Sequence, residues 1–435
     1  MKRLIIILCA LCATAAPAVA QQTMALSVSQ CREMALRHNE DMQIADIEVE
    51  KAELDRQVAN NAMLPNLDGS AMGILAKDND IMGAMTLQMR GAYVAGLTLA
   101  QPIYTGGKIT AGRKMAQLGK EMMEISRRKT HDQVLVDVDQ SYYTLVAVRS
   151  KIKMLDAYRE QMRGLYDQVE TSVRAEYATE GDLLRIDAKA SEIDYQRQKA
   201  INGEQLCQIA LCNAIGVPLD THLVLTDSAL LDAMPAVFER SHANRPEMLL
   251  LNKQIELKRQ QIKMERAELL PTVALSLSYS RYGNIKLKGQ TLAADGNYYP
   301  YTQTIKGGAP VAMLSVQIPI WHWGTQIKKM KKAKLDVREA EIELEKYDRL
   351  ISIEVEQSLR NVEDSRRMID TAEKGLRQAE ENLRVMRLKY DNSKATITDL
   401  LDAQSQWQQA QSNLIEAKTQ YQIYLTEYRR ATAQL

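Results

Sequence analysis

Downstream of Gln21 the sequence has no stretch approaching the roughly 20 consecutive apolar residues that a membrane-spanning helix needs, so any entry into a bilayer must be made by strands. Net charge is also missing. The 56 basic and 55 acidic residues nearly cancel, which removes the electrostatic drive for binding nucleic acid. Cysteine is sparse: of five, Cys9 and Cys12 fall in the N-terminal leader, leaving Cys31, Cys207 and Cys212. An odd number without knuckle or framework spacing gives no disulfide scaffold, and Cys207 and Cys212 do not share a helical face. They read as small packing residues, with a bridge from Cys31 to either left open. The histidines, at 38, 131, 222, 242 and 322, show neither ligand nor triad spacing, so no metal site, cofactor or catalytic centre is expected. Thr105-Gly106-Gly107-Lys108 lacks the upstream Gly and following hydroxyl of a phosphate loop and reads as a turn.

What is present begins with a leader. Met1-Lys2-Arg3, the apolar run Leu4 to Ala16 and the small residues Ala18-Val19-Ala20 have the three sections of a secretory signal peptide over 1–20. The position where a lipoprotein needs its Cys holds Gln21.

The chain then uses one long segment twice. Asp399, Leu400 and Leu401 return as Asp182, Leu183 and Leu184 at an offset of 217, which also relates Pro319 to Pro102 and Gly324 to Gly107. An ungapped offset over that distance marks an internal duplication. At the front end an offset of 206 relates Pro271 to Pro65.

Each copy opens with a helical stretch free of internal Gly, expected over 29–63 and 236–270. The pattern then changes to period two: Val273, Leu275, Leu277 and Tyr279 alternate with small or polar residues, as do Leu314, Val316, Ile318 and Ile320. Hairpins are expected at 66–103 and 272–320, with strands near 10 residues, the length of a tilted membrane strand. Tyr279, Tyr282, Tyr298, Tyr299 and Tyr301 near the hairpin loop, and Tyr104, Trp321 and Trp323 at the other end, suit two aromatic girdles. Four strands do not close a barrel, so the hydrogen-bonding requirement of lipid demands further copies.

Helices of roughly 65 residues, about 100 Å at the helical rise, follow at 107–173 and 324–390. After turns at 174–182 and 391–398, return helices occupy 182–215 and 399–432, and a linker at 219–235 joins the repeats 21–218 and 236–435. Leu400, Ala403, Trp407, Ala410, Leu414, Ala417 and Tyr421 keep coiled-coil spacing. Asp182, Asp399 and Asp402 stand at helix starts, where carboxylates cap free N–H groups; Asp399 and Asp402, three apart, share a face.

These residues resemble a family. The Pro-bounded hairpins, the strand ends Gln101-Pro102-Ile103-Tyr104 and Ile318-Pro319-Ile320-Trp321, Ala214-Ile215-Gly216-Val217-Pro218 and Thr396-Ile397-Thr398-Asp399-Leu400-Leu401-Asp402-Ala403 make the mature chain similar to TolC-like outer-membrane efflux factors. The resemblance implies a mainly α fold with a small β part. It implies a homotrimer whose four strands per chain build a 12-stranded barrel in outer-membrane lipid, above a periplasmic coiled-coil tunnel.

It further implies a non-enzymatic exit duct of a tripartite efflux pump or type I secretion system, with a periplasmic adaptor and an inner-membrane transporter as partners. Asp399 and Asp402 then form an acidic selectivity ring, Asp182 and Tyr390 a tip network, and the turns at Glu176 and Ser393 the adaptor contacts. Ala395 stands where some members carry Arg, and Glu176 and Ser393 where Gly is usual. The rival reading is a secreted structural or adhesive coiled coil whose hairpins pack on each other.

Overall fold

The computed structural model describes residues 23–76, 79–81, 85–226, 238–294 and 296–435. The expected leader and positions 227–235 of the expected linker lie outside the described residues. The elements in chain order are β1 (Thr23–Leu26), α1 (Val28–His38), α2 (Glu40–Asn61), β2 (Asn66–Ile74), β3 (Asn79–Ile81), β4 (Met85–Gln88), β5 (Ala92–Thr105), α3 (Lys108–Arg174), α4 (Glu180–Ile215), β6 (His222–Leu225), α5 (Pro246–Ala267), β7 (Thr272–Leu292), β8 (Tyr298–Gln317), α6 (Thr325–Asp391) and α7 (Ile397–Ala431). They form two compact units, one drawn from Glu48–Glu124 and Leu250–Glu345, the other from the chain up to Ile47, Ile125–Leu249 and Lys346–Leu435.

The first-named unit is built on an antiparallel sheet in which β2 pairs β5, β5 pairs β7 and β7 pairs β8, with the short β4 and β3 continuing beside the far half of β7. Because side chains alternate, the register sorts them into two faces. One carries Leu67, Leu97, Leu99, Leu275, Leu277 and Leu314; the other carries Asp68, Thr98, Ser276, Ser278, Ser280 and Ser315. The apolar face is uncovered in the chain: Leu67, Leu97 and Leu314 are 67%, 56% and 62% exposed.

The strands of the second hairpin run 21 and 20 residues rather than about 10. Ile285 and Leu287 alternate with Lys286 and Lys288 beyond Tyr282, and a Tyr- and Thr-rich stretch follows from Tyr298, so the ladder extends to the turn at Gly296. Tyr279 and Tyr282 therefore pair with Pro310 and Gly307, far along the ladder from the Tyr298–Leu292 end, and do not gather with Tyr298, Tyr299 and Tyr301. Alternation also separates them: Tyr279 and Tyr104 share the apolar face, whereas Tyr282 stands on the other, its ring covering Gly307. Trp321 and Trp323 lie past the end of β8 in an edge-to-face pair 5.8 Å apart.

Tyrosines also cover Gly283, from Tyr93, and Gly289, from Tyr301. A glycine leaves a gap in a sheet face, and a cross-strand ring fills it.

Four helices of the same unit form a row in the order α2, α3, α5, α6. Lys120 Nζ lies 3.3 Å from Glu53 and Arg113 donates to Asn60 between α2 and α3. Lys253 meets Glu121 at 2.8 Å between α5 and α3. Arg259 meets Glu341, and Ile255 packs with Val337 and Ala340, between α5 and α6. The outer members carry exposed apolar residues on their far faces, Leu54 and Val58 on α2, Leu335 and Ile342 on α6.

Two expected helices change. The one placed at 29–63 is two, broken at Asn39, whose Oδ1 accepts from the Asp41 N–H at 2.8 Å and whose Nδ2 donates to the Ala214 carbonyl at 3.1 Å. A side chain competing for backbone partners caps a new helix instead of continuing the old one. The helix placed at 236–270 spans Pro246–Ala267, because proline fits the first helical position and pushes its predecessor out of the helical region.

In the other unit β1 pairs β6 in parallel, and Cys31, Ala35, Val138, Tyr142, Leu211 and Ile215 pack beneath them. Cys31, Cys207 and Cys212 are free thiols. Asp139, wholly buried on α3, accepts from Arg32 Nε at 2.7 Å, Arg32 Nη2 at 2.6 Å and Thr426 Oγ1 at 2.6 Å, tying α1 and α7 to α3.

Candidate functional site at the helical turns

The two turns that end α3 and α6 have the same geometry. Each helix is closed by a residue in the left-handed region, Glu176 at φ 61° and Ser393 at φ 57°. The following N–H reaches back to the helix, Tyr177 to Ser172 at 2.9 Å and Lys394 to Lys389 at 2.7 Å, the six-to-one bond of a Schellman ending. These are the positions where glycine is usual.

The chain re-enters helix through two capping boxes. Thr179 caps α4, its hydroxyl accepting from the Asp182 N–H while Asp182 Oδ2 accepts from the Thr179 N–H and hydroxyl. Thr396 and Asp399 repeat the arrangement at α7, with contacts of 2.7 to 3.2 Å. The Thr396 N–H and hydroxyl hold the Asp399 carboxyl below its ordinary value. Asp182 and Asp399 are thus committed to capping. Asp402, one turn on and exposed, makes no hydrogen bond or ion pair among the described residues.

Beside the boxes the two helical hairpins meet. Met162, Leu165, Val169, Ile186, Ile397 and Leu400 form the buried cluster, and Tyr390 and Trp407 pack against it. Burial raises the Tyr390 pKa, and the Asp182 and Asp391 carboxylates raise it further, so the phenol stays protonated. Arg185 Nη1 donates to Thr398 Oγ1 at 2.9 Å and lies 3.9 Å from Asp182 Oδ1. Gln168 donates to Asp391 at 3.3 Å, and Gln408 to Gln196 at 2.7 Å.

Tyr390 and Asp182, expected together, are neighbours; Asp399 and Asp402 share a helix start, with only Asp402 free. Sequence reasoning missed Arg185, Thr398, Gln168 and Asp391. A signal for Arg185 existed: the 217-residue offset that relates the two acidic turns carries Asp402 onto Arg185.

With the geometry in hand, likeness to known proteins narrows the reading. Proteases secretion protein PrtF of Dickeya chrysanthemi is 22% identical over 421 residues, 91% of this chain and 85% of its own. Among solved structures CusC superposes with TM-score 0.77 at 16% identity, over 93% of this chain and 91% of that one. The outer membrane protein VceC of Vibrio cholerae superposes at 0.74 and 15% identity, over 93% and 95%. The family model of outer membrane efflux proteins matches residues 31–212 and 237–434, and the chain belongs to that family of outer-membrane channel proteins, as a factor of the TolC type.

Proposed function

We propose that the protein is the trimeric exit duct of a tripartite efflux pump or type I secretion system, joined in the periplasm by an adaptor and fed by an inner-membrane transporter. One observation carries this: both layers of the strand-bearing unit are open rows. In the half next to the helices the sheet ends at β2 and β8, β4 and β3 flanking only the far half of β7, and the helix row ends at α2 and α6, each outer helix with exposed apolar residues. In lipid an unpaired strand edge costs several kcal/mol for each stranded group, and barrels need about eight strands or more. Because β2 and β8 are different surfaces, copies join head to tail and close a ring. Three copies of β2, β5, β7 and β8 give the 12 strands expected of the family.

The dimensions agree. From the Tyr104 row to the Tyr93 row is about ten residues of β7, or roughly 33 Å along the strand; a tilt of about 40° reduces this to roughly 25 Å, the height of the apolar band of outer-membrane barrels. PrtF is by name a protease secretion protein, which favours export over an uptake pore.

The turns form the gate. Three copies of Asp402 around the axis give an acidic, cation-favouring ring, with Asp399 beside it as cap and secondary charge. Asp182, Tyr390 and Arg185 hold the hairpins together, and the Glu176 and Ser393 turns meet the adaptor. The test is planar-bilayer conductance of purified protein that runs as a heat-dissociable trimer. Asp402→Ala lowers cation selectivity, and Asp399→Ala adds to it, with trimer yield unchanged. Unaltered selectivity in both would reduce the acids to helix caps; release by carbonate washing with no trimer would remove the barrel.

A further inference from the structure

The two long strands β7 and β8 contain no Asp or Glu and four cations, Arg281, Lys286, Lys288 and Lys306. Their placement is not scattered. Arg281 follows Tyr279 by two residues on the apolar face, opposite Gly308. Lys306 is two residues before Gly308 on β8 and so shares that face.

Beyond them the register shifts between Tyr282 and Ile285: β7 spends three residues where β8 spends two. This bulge, with Asn284 at φ 57°, inverts which residues of β7 face which way. Lys286 and Lys288 then stand opposite Thr304 and Thr302, on the face of Arg281 and Lys306. Without the extra residue, Ile285 and Leu287 would occupy that face. The four cations therefore line the apolar face at its edge away from the helices, Arg281 two residues inside the Tyr93 row, Lys306 level with it and Lys286 and Lys288 past it, and none has an ion-pair partner among the described residues.

We infer that Arg281, Lys286, Lys288 and Lys306 form a collar that binds the phosphates of a multiply phosphorylated glycolipid in the outer leaflet. This rests on the barrel reading above, in which the apolar face meets lipid. Four like charges in successive rows, each about 7 to 8 Å from the next diagonally across or along the strands, repel one another unless an anion lies among them. The occupant is lipid because the collar directly continues the lipid-facing band. It is phosphorylated at more than one level because the cations span about six residues of strand, roughly 20 Å, more than the headgroup layer of a simple phospholipid. Thr86 and Gln88 on β4, aligned with Lys288 and Lys286, add neutral donors for sugar hydroxyls.

The experiment uses the full-length protein in detergent, with lipid A as the phosphorylated glycolipid, its dephosphorylated form, and inorganic phosphate as separate probes, read by native mass spectrometry. Expected are retention of lipid A by the wild type, weak retention of the dephosphorylated form, no competition by millimolar phosphate, and weakening by salt. Arg281→Gln, Lys286→Gln, Lys288→Gln and Lys306→Gln each lower retention roughly fivefold, and the quadruple variant removes it; Lys328→Gln and Lys334→Gln on α6 change nothing.

If the quadruple variant does not assemble, the single variants decide. Retention equal to wild type in Lys288→Gln and Lys306→Gln overturns the collar, and displacement by free phosphate overturns the lipid as its ligand. A trimer that conducts yet ignores the phosphates leaves the duct standing and sinks only the collar. A protein without a membrane-embedded trimer sinks both.

Discussion

Replacing Glu176 and Ser393 by glycine is expected to stabilise the helical turns, although neither side chain makes a hydrogen bond among the described residues. Both hold φ near 60°, a conformation that costs an L-residue about 1 to 2 kcal/mol and glycine almost nothing. Against this, glycine gives the unfolded segment extra freedom worth about 0.4 to 1 kcal/mol. The difference is a gain of roughly 0.5 to 1 kcal/mol per turn, and the turns, at separate helix ends, should add. Global melting of a long coiled coil would hide so local a change.

The sensitive reporters are the amides of Tyr177 and Lys394, whose bonds to Ser172 and Lys389 close the two Schellman endings. Hydrogen exchange of peptides over these turns should slow roughly two- to fivefold in Glu176→Gly and Ser393→Gly, about 1.4 kcal/mol corresponding to tenfold. Lys394→Gly, one residue later and outside the left-handed region, should speed it. Unchanged or faster exchange in both glycine variants would refute the strain assigned to these turns.

Other outcomes follow from the same contacts. Arg185→Ala should raise channel open probability in planar bilayers, and Thr398→Val in that background should add nothing, since one bond joins the two. Asp139→Ala should cost about 3 kcal/mol in chemical denaturation by removing the buried carboxylate that accepts from both Arg32 and Thr426, against about 1 kcal/mol for Thr426→Val. Asp399 is held below its unfolded value of 3.8, so its cap contributes fully above that value and is lost as pH falls through the lower folded one. Trp407 fluorescence, with Trp321 and Trp323 replaced by Phe, should report an acid transition below about pH 4 that Asp399→Asn abolishes. Gly307→Val meets the Tyr282 ring, with the hydroxyl at 2.9 Å, and should cut trimer yield, whereas Gly73→Val, with open space around it, should not.

Much of this architecture was legible because it rests on short-range rules. The boundaries marked by Pro65 and Pro271, the turn positions Glu176 and Ser393, and the carboxylates Asp182 and Asp399 at helix starts are local signals, and the duplication reinforced each by showing it twice; the threonine three before each Asp is as local a signal but went unread. What escaped depended on partners distant in sequence. Asn39 looks like one polar residue in a good helix until Ala214 is brought beside it. Arg185 reads as a surface charge until the second hairpin supplies Thr398. Tyr282 was grouped with Tyr279 by proximity, whereas strand alternation separates residues three apart onto opposite faces.

The bulge at Gly283 and Asn284 makes the orientation of the upper hairpin a matter of counting, as a reading frame is in a message. Every side chain of β7 beyond it is addressed to one face of the sheet or the other by one supernumerary residue. Deleting Asn284 alone should turn Lys286 and Lys288 inward and expose Ile285 and Leu287 where the cations stood. Deleting one further residue should return alternate positions to the outer face, now occupied by their even-numbered set, so that a series of deletions would switch the surface on and off with a period of two.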